Sequence, residues 1–168
     1  MTGAAHSDSP GRARIVFASD TSGHSMGYHV VARAFRDAGF EVVLTGRLMP
    51  DAVATVAVQE NADLVAYRMM DRDPLEVVRA LLAALEREGL SDRPVLVGGI
   101  IGKAAAAAIR EAGVAGVFGP GSKLTEIVAC AQEALAQHRQ WATSGAGLAA
   151  DGGDIPGDRR PTGDPTSR

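Results

Sequence analysis

Arg14-Ile15-Val16-Phe17-Ala18-Ser19-Asp20-Thr21-Ser22-Gly23-His24-Ser25-Met26-Gly27 is the stretch whose reading decides the fold. Its apolar start, 15–18, is too short for a helix and unbroken by polar residues, as expected of a strand covered on both faces. A run of small residues follows, with two glycines on either side of one histidine, and a helical pattern begins near Tyr28. In open α/β sheets, a strand that feeds a small-residue loop and then a helix marks the edge where ligands sit. Alone, these residues are better described as a tight turn with a solvent-exposed histidine; the rest of the chain changes the balance.

The same unit recurs downstream. Val30, Val31, Ala34, Phe35 and Ala38 lie at helical spacing, closed by Gly39 as a C-terminal cap. Residues 40–44 read as a second strand. Pro50 is placed to open a helix to about residue 60, and 63–67 is a third strand. Pro74 opens a stronger helix with Leu75, Val78, Leu81, Leu82 and Leu85 on one face, ended by Gly89. Residues 94–97 form strand four, 103–112 helix four with Gly113 as its cap, and 114–118 strand five. A last helix over 123–138 would bury Leu124, Ile127, Val128, Ala131 and Leu135. Strands that are continuous apolar runs, alternating with helices, predict an α/β fold with a parallel sheet and helices on both faces. With right-handed crossovers, a flavodoxin-like (Rossmann-like) five-stranded order 2-1-3-4-5 is expected.

Composition narrows the function. The 168-residue chain suits one domain plus a tail: a frayed arm over 1–11, an α/β domain over 12–140 and a flexible Gly/Asp/Pro-rich tail over 141–168. Hydrophobic residues make up 46%, enough for one core, but aromatics only 4%, so Val, Leu, Ile and Ala must build it. A net charge of −3 gives no electrostatic footprint for nucleic acid or an anionic membrane. No apolar run approaches the roughly 18 residues of a membrane span, and the start lacks an apolar signal core. A cytoplasmic protein is expected. The single cysteine, Cys130, excludes an internal disulfide and reads as a packed thiol. His29 falls on a different side of helix one from His24, which disfavours a two-histidine metal site. His6 and His138 are expected to be solvated.

In this topology the loops at the strand C-termini are 20–27, 68–73, 98–102 and 119–122, and three of the four are glycine-rich. That edge has room for a flat or elongated ligand. From Arg14 to about Leu135 the chain resembles the cobalamin-binding domain of the acyl-CoA mutases, the methylmalonyl-CoA mutase type in particular. The family's motif Asp-x-His-x-x-Gly is matched at its histidine and glycine by Ser22-Gly23-His24-Ser25-Met26-Gly27. Residues 30–42, Val97-Gly98-Gly99-Ile100-Ile101 and Gly113-Val114-Ala115-Gly116-Val117-Phe118-Gly119-Pro120-Gly121 follow the family's pattern, the last being its most specific part.

The resemblance implies a binding site for adenosylcobalamin. His24 would replace the cofactor's own dimethylbenzimidazole as lower ligand to cobalt. Ser22, Gly23, Ser25, Met26 and Gly27 would surround it, and Gly98, Gly99, Gly119, Pro120 and Gly121 would line a pocket for the displaced nucleotide tail. Imidazole is a good cobalt donor, and glycine leaves space for a heterocycle against the backbone. Ser22 stands where the family has aspartate, and Arg68-Met69-Met70 where it has Ser-x-Leu, so Arg68 and Met70 would meet the tail; Arg68 could bind the nucleotide phosphate. The family's acyl-CoA-binding barrel is absent from this chain, which implies a separate large mutase subunit as partner. The resemblance thus reads as a cofactor-binding small subunit of a split isomerase. The alternative is a degenerate docking subunit without tight cobalamin binding. A phospho-receiver would need paired acids after strand one and an aspartate ending strand three, where Arg68 stands. A flavodoxin would need aromatic flanks beside Ser19, Thr21, Ser22 and Ser25.

Overall fold

A computed structural model describes residues 11–144. Five parallel strands alternate with five helices: β1 (Arg14–Ser19), α1 (Ser25–Asp37), β2 (Glu41–Arg47), α2 (Pro50–Gln59), β3 (Leu64–Met69), α3 (Pro74–Arg87), β4 (Val95–Gly99), α4 (Lys103–Glu111), β5 (Gly116–Phe118) and α5 (Leu124–Thr143). The sheet order is β2-β1-β3-β4-β5, as the alternation predicts. No helix among the described residues is long and apolar enough to cross a membrane. All of the expected arm over 1–11 except Gly11, and the expected tail beyond Ser144, lie outside the described residues.

Alternate residues of each strand face opposite sides, so the sheet divides two cores. Ile15, Phe17, Leu64, Ala66 and Leu96 pack with Tyr28, Ala32 and Phe35 of α1 and Ile127, Ala131 and Leu135 of α5. Val16, Ala18, Val65, Tyr67, Val95 and Val97 pack with α2, α3 and Ile109 of α4. Starts and stops follow local chemistry. Pro50 and Pro74 occupy first helical turns, and Asp73 caps α3 by accepting from the Glu76 amide at 2.9 Å. At the end of α1, Gly39 takes φ 94° and donates to Arg36 O at 2.9 Å while Phe40 N donates to Phe35 O at 3.1 Å. The end of α2 repeats this device without glycine: Asn61 adopts φ 52° there, a conformation asparagine tolerates better than most residues.

Several boundaries differ from the sequence reading, each for a physical reason. Helix α1 begins at Ser25 rather than near Tyr28, so Ser25, Met26 and Gly27 belong to its first turn and the loop ends at His24. Its buried face is Tyr28, Ala32 and Phe35, while Val30 is 45% exposed. The Tyr28 hydroxyl makes this burial tolerable by donating to Phe17 O and accepting from Gly46 N. Strand β2 runs past Leu44 through a register shift: Phe17 pairs with Leu44 but Ala18 with Gly46, a bulge that uses Gly46 at φ 71°. Strands β3 and β4 extend to Met69 and Gly99, and β5 starts only at Gly116. Helix α5 continues to Thr143, because the residues after His138 are ordinary helix formers even though its apolar stripe ends at Leu135.

His138 is not solvated, contrary to expectation. Its Nε2 lies 2.9 Å from an Asp92 carboxylate oxygen, tying α5 to the segment before β4. Burial works to raise the Asp92 carboxyl, but the His138 hydrogen bond and the Arg93 charge outweigh it and hold it below its ordinary value. A depressed folded value means stability present above the ordinary carboxylate range and lost as pH falls through the folded value. The stability difference between the wild type and Asp92→Asn should therefore be widest near neutrality and narrow as pH falls below the ordinary carboxylate range, read from urea unfolding midpoints across pH.

Candidate functional site

The C-terminal strand edge holds a cleft of about 400 Å³ between the sheet and helices α1 and α5, within the usual size range of small-molecule sites. Phe17, Ala66 and Leu96, from three adjacent strands, form its floor; Val30 and Val31 of α1 and Leu124 and Ile127 of α5 form its sides. His24, Arg68, Met70 and Gly98 to Ile100 line it from the strand-end loops, and Gly119 to Ser122 from the β5–α5 loop.

His24 is held by backbone rather than by side-chain contacts. It sits at φ 48°, ψ 44° as the residue before α1, where its imidazole is exposed and makes no capping hydrogen bond. Left-handed backbone at a non-glycine residue is uncommon and marks a position that the surroundings impose. The preceding turn is fixed from both sides: Gly23 N donates to Thr21 Oγ1 at 3.1 Å, and Arg68 Nη2 donates to Gly23 O at 3.0 Å.

Asp20 organises the edge in a way the sequence reading missed. Its buried carboxylate accepts from Met70 N at 2.9 and 3.1 Å, from Asp71 N at 3.1 Å and from Arg72 N at 3.3 Å. Its own amide donates to Arg68 O at 3.0 Å. One side chain thus pins the whole β3–α3 loop, and with it Met70, to the end of β1. Asp20→Ala would strand these amides, and since Asp71 and Arg72 can reach water the expected loss is about 2–3 kcal/mol of unfolding free energy, measured by urea denaturation. The carboxylate is occupied by amides, and no group of three or more His, Cys, Asp or Glu among the described residues could hold a metal ion.

Glycine gives the cleft its depth. Gly98 pairs with Arg68 on one side and Phe118 on the other, and a Cβ there would lie 3.3 Å from Phe118 O. Gly99 takes φ 132°, and a Cβ would fall 1.9 Å from Met69 O. Strand β4 therefore presses against the end of β3, leaving the space above it open.

Of the residues expected to bind a cofactor, His24, Gly27, Arg68, Met70, Gly98, Gly99, Gly119, Pro120 and Gly121 all line this one cleft. Ser22, Gly23, Ser25 and Met26 do not; Ser22 is exposed, and Met26 points to solvent at 80% exposure. The reading missed the apolar walls, Phe17, Val30, Val31, Leu96 and Ile127, because apolar residues at strand and helix spacing are indistinguishable from core. Leu124, expected to be buried, is 39% exposed on the rim. Cys130 is half-buried; its thiol donates to Ala115 O at 3.5 Å, and burial, with Glu133 adding to it, pushes its pKa up, away from nucleophilic use. His29 is exposed beside the Tyr28 ring, 5.5 Å between centroids, and takes no part in the cleft.

The sequence model of the B12 binding domain matches residues 14–129. The chain is 39% identical over 110 residues to the pivalyl-CoA mutase small subunit of Xanthobacter autotrophicus, covering 64% of this chain and 73% of that one. It is 38% identical over 93 residues to the 2-hydroxyisobutanoyl-CoA mutase small subunit of Aquincola tertiaricarbonis, covering 55% and 68%. Methylmalonyl-CoA mutase of Escherichia coli is 31% identical over 133 residues, 78% of this chain but 19% of that far longer one. Among solved structures, a cobalamin-binding protein from Desulfitobacterium hafniense superposes with TM-score 0.62 at 21% identity, over 73% of this chain and 59% of that one. The receiver domain of the response regulator NarL from Mycobacterium tuberculosis superposes with TM-score 0.56 at 22% identity, over 74% and 97%, a likeness of fold alone. This chain belongs to the B12-binding domain family and is related to the small subunits of acyl-CoA mutases.

Proposed function

We propose that this chain is the cofactor-binding small subunit of a two-subunit acyl-CoA mutase. It would hold adenosylcobalamin through His24, whose imidazole would supply a nitrogen donor to cobalt in place of the cofactor's own base, while the cleft would take in the nucleotide tail. The observation that carries this reading is the placement of one imidazole, without a capping bond, at the mouth of an apolar cleft whose strand edge is glycine.

The residues suit the group. Imidazole nitrogen is a good donor to cobalt, and the left-handed turn fixes where the ring starts. Phe17, Ala66 and Leu96 offer apolar surface to a planar heterocycle, while Gly98, Gly99 and Gly119 to Gly121 bring only backbone near it. When bound, adenosylcobalamin supplies a weak cobalt–carbon bond whose homolysis starts a radical carbon-skeleton rearrangement. The chain's own part is to hold, orient and shield.

Support for a separate large subunit comes from two sources. Two relatives carry the words small subunit in their names. Ile100, on the cleft wall, is 61% exposed, and Met26, two residues after His24 and outside the cleft, is 80% exposed, apolar surface that a partner would cover. The acyl-CoA would lie on that partner.

The test is spectroscopic. Titrated with hydroxocobalamin and adenosylcobalamin, the purified chain should convert each to a base-off, histidine-on spectrum. Unchanged base-on spectra at high protein concentration would favour a docking subunit that does not bind cobalamin tightly, a reading supported by Ser22 standing exposed where the family has aspartate.

A further inference from the structure

We propose that Arg68 is the counter-ion of an anionic subsite in the cleft, built for a phosphate ester, so that the chain prefers corrinoids bearing the nucleotide-tail phosphodiester to those lacking it. The corrinoid part rests on the cobalamin reading above.

Arg68 lies at the end of β3, in register with Ser19 and Gly98. It is only 9% exposed, and it lines the cleft. Among the described residues its guanidinium makes one hydrogen bond, to Gly23 O, and no ion pair. Asp20, which follows β1 and whose amide bonds Arg68 O, has both carboxylate oxygens engaged by loop amides. A guanidinium carries five N–H donors and cannot deprotonate, so most of its donors have no protein partner, and since none of its nitrogens is both sealed from solvent and unpartnered they are open to a ligand in the cleft. The surrounding walls are Phe17, Ala66, Leu96 and Phe118. A buried charge among apolar walls is costly unless an anion pairs with it, and the planar fork of arginine fits phosphate oxygens better than any other common anion except carboxylate.

A corrinoid with a complete tail brings a phosphodiester between its ring and its base. A cleft that takes the base from the His24 mouth inward would bring that phosphodiester past the Gly23 end, where Arg68 is held. A free nucleotide would bring a phosphate ester too, and the experiment separates the two sources.

The full chain, as wild type, Arg68→Gln and Arg68→Met, is titrated with aquacobinamide (no phosphate, no base), cobinamide phosphate (phosphate, no base), hydroxocobalamin (both) and AMP. The wild type should bind cobinamide phosphate roughly ten- to a hundred-fold more tightly than cobinamide, the range of a hydrogen bond to a charged group. Both variants should lose that preference while their affinity for cobinamide stays nearly constant. Arg68→Gln keeps an N–H for the Gly23 carbonyl, so it reads the charge even where Arg68→Met fails to fold. An equal loss for all corrinoids would make Arg68 a brace for the His24 turn and overturn the proposal, as would variants that keep the full preference. Should the wild type bind no corrinoid, the cobalamin reading fails, and AMP alone decides the subsite: binding that depends on Arg68 keeps it, and absence of binding removes it.

Discussion

Replacing His24 with alanine is expected to abolish the histidine-on spectrum of bound cobalamin. The argument is one of geometry. Every other histidine in the described chain is engaged or remote: His138 is bonded to Asp92, and His29 lies beside Tyr28 outside the cleft. No substitute nitrogen is available at the mouth. His24→Asn is the control for folding, since asparagine tolerates the left-handed backbone that position 24 requires; its melting temperature should match or exceed that of the wild type while the spectrum is still lost. Reduced cob(II)alamin, bound to protein labelled with 15N-histidine, gives an independent readout. Coordination by a protein imidazole should turn the nitrogen superhyperfine triplet into a doublet. A persistent triplet would mean that the cofactor's own base still binds cobalt, and the assignment of His24 would fall.

The largest loss of stability is expected from Gly99→Ala. A methyl group there meets Met69 O at 1.9 Å, a backbone atom with nowhere to move, and the φ of 132° is itself disfavoured for alanine. Left-handed strain and the forced displacement of β4 from β3 together should cost about 4 kcal/mol. Urea unfolding would show this as a large drop in midpoint with little change in slope. Gly119→Ala provides the comparison: its Cβ would meet only Ile101 O, at 3.8 Å, so it should leave stability almost unchanged.

These two positions show what could be read from the residues alone. The alternation of apolar runs with capped helices was enough for strand order, because parallel strands buried on both faces leave an unmistakable pattern. The glycines, the histidine and Arg68 were legible as residues of the strand-end edge, where they line one cleft, because polar or small residues at strand ends have no role in a core. The walls were not. Val30 and Ile127 have the same period whether they face a cleft or a neighbouring helix, and only the rotation of α1, set by burial of Tyr28 and Ala32, separates the two. Asp20 escaped for another reason: its partners are backbone amides of residues 70–72, and main-chain groups leave no trace in a sequence. The continuation of α5 to Thr143 was hidden because its last turns bury nothing large, leaving only weak helix propensity to betray them.

The two sides of the sheet are unequal in what they must accomplish. On the α2–α3 side, Val53, Ala54, Ala57, Val78 and Leu81 are wholly enclosed and line no part of the cleft, while the opposite layer, itself closed at Ile15, Ala32 and Leu64, divides its apolar surface between packing and the cleft. Changes at the exposed rim, Val30 and Leu124, therefore have room to accumulate before folding is threatened. A lineage built on this frame can retune what the cleft accepts, and a protein engineer can do the same, working on one side of the sheet and leaving the other as a fixed foundation.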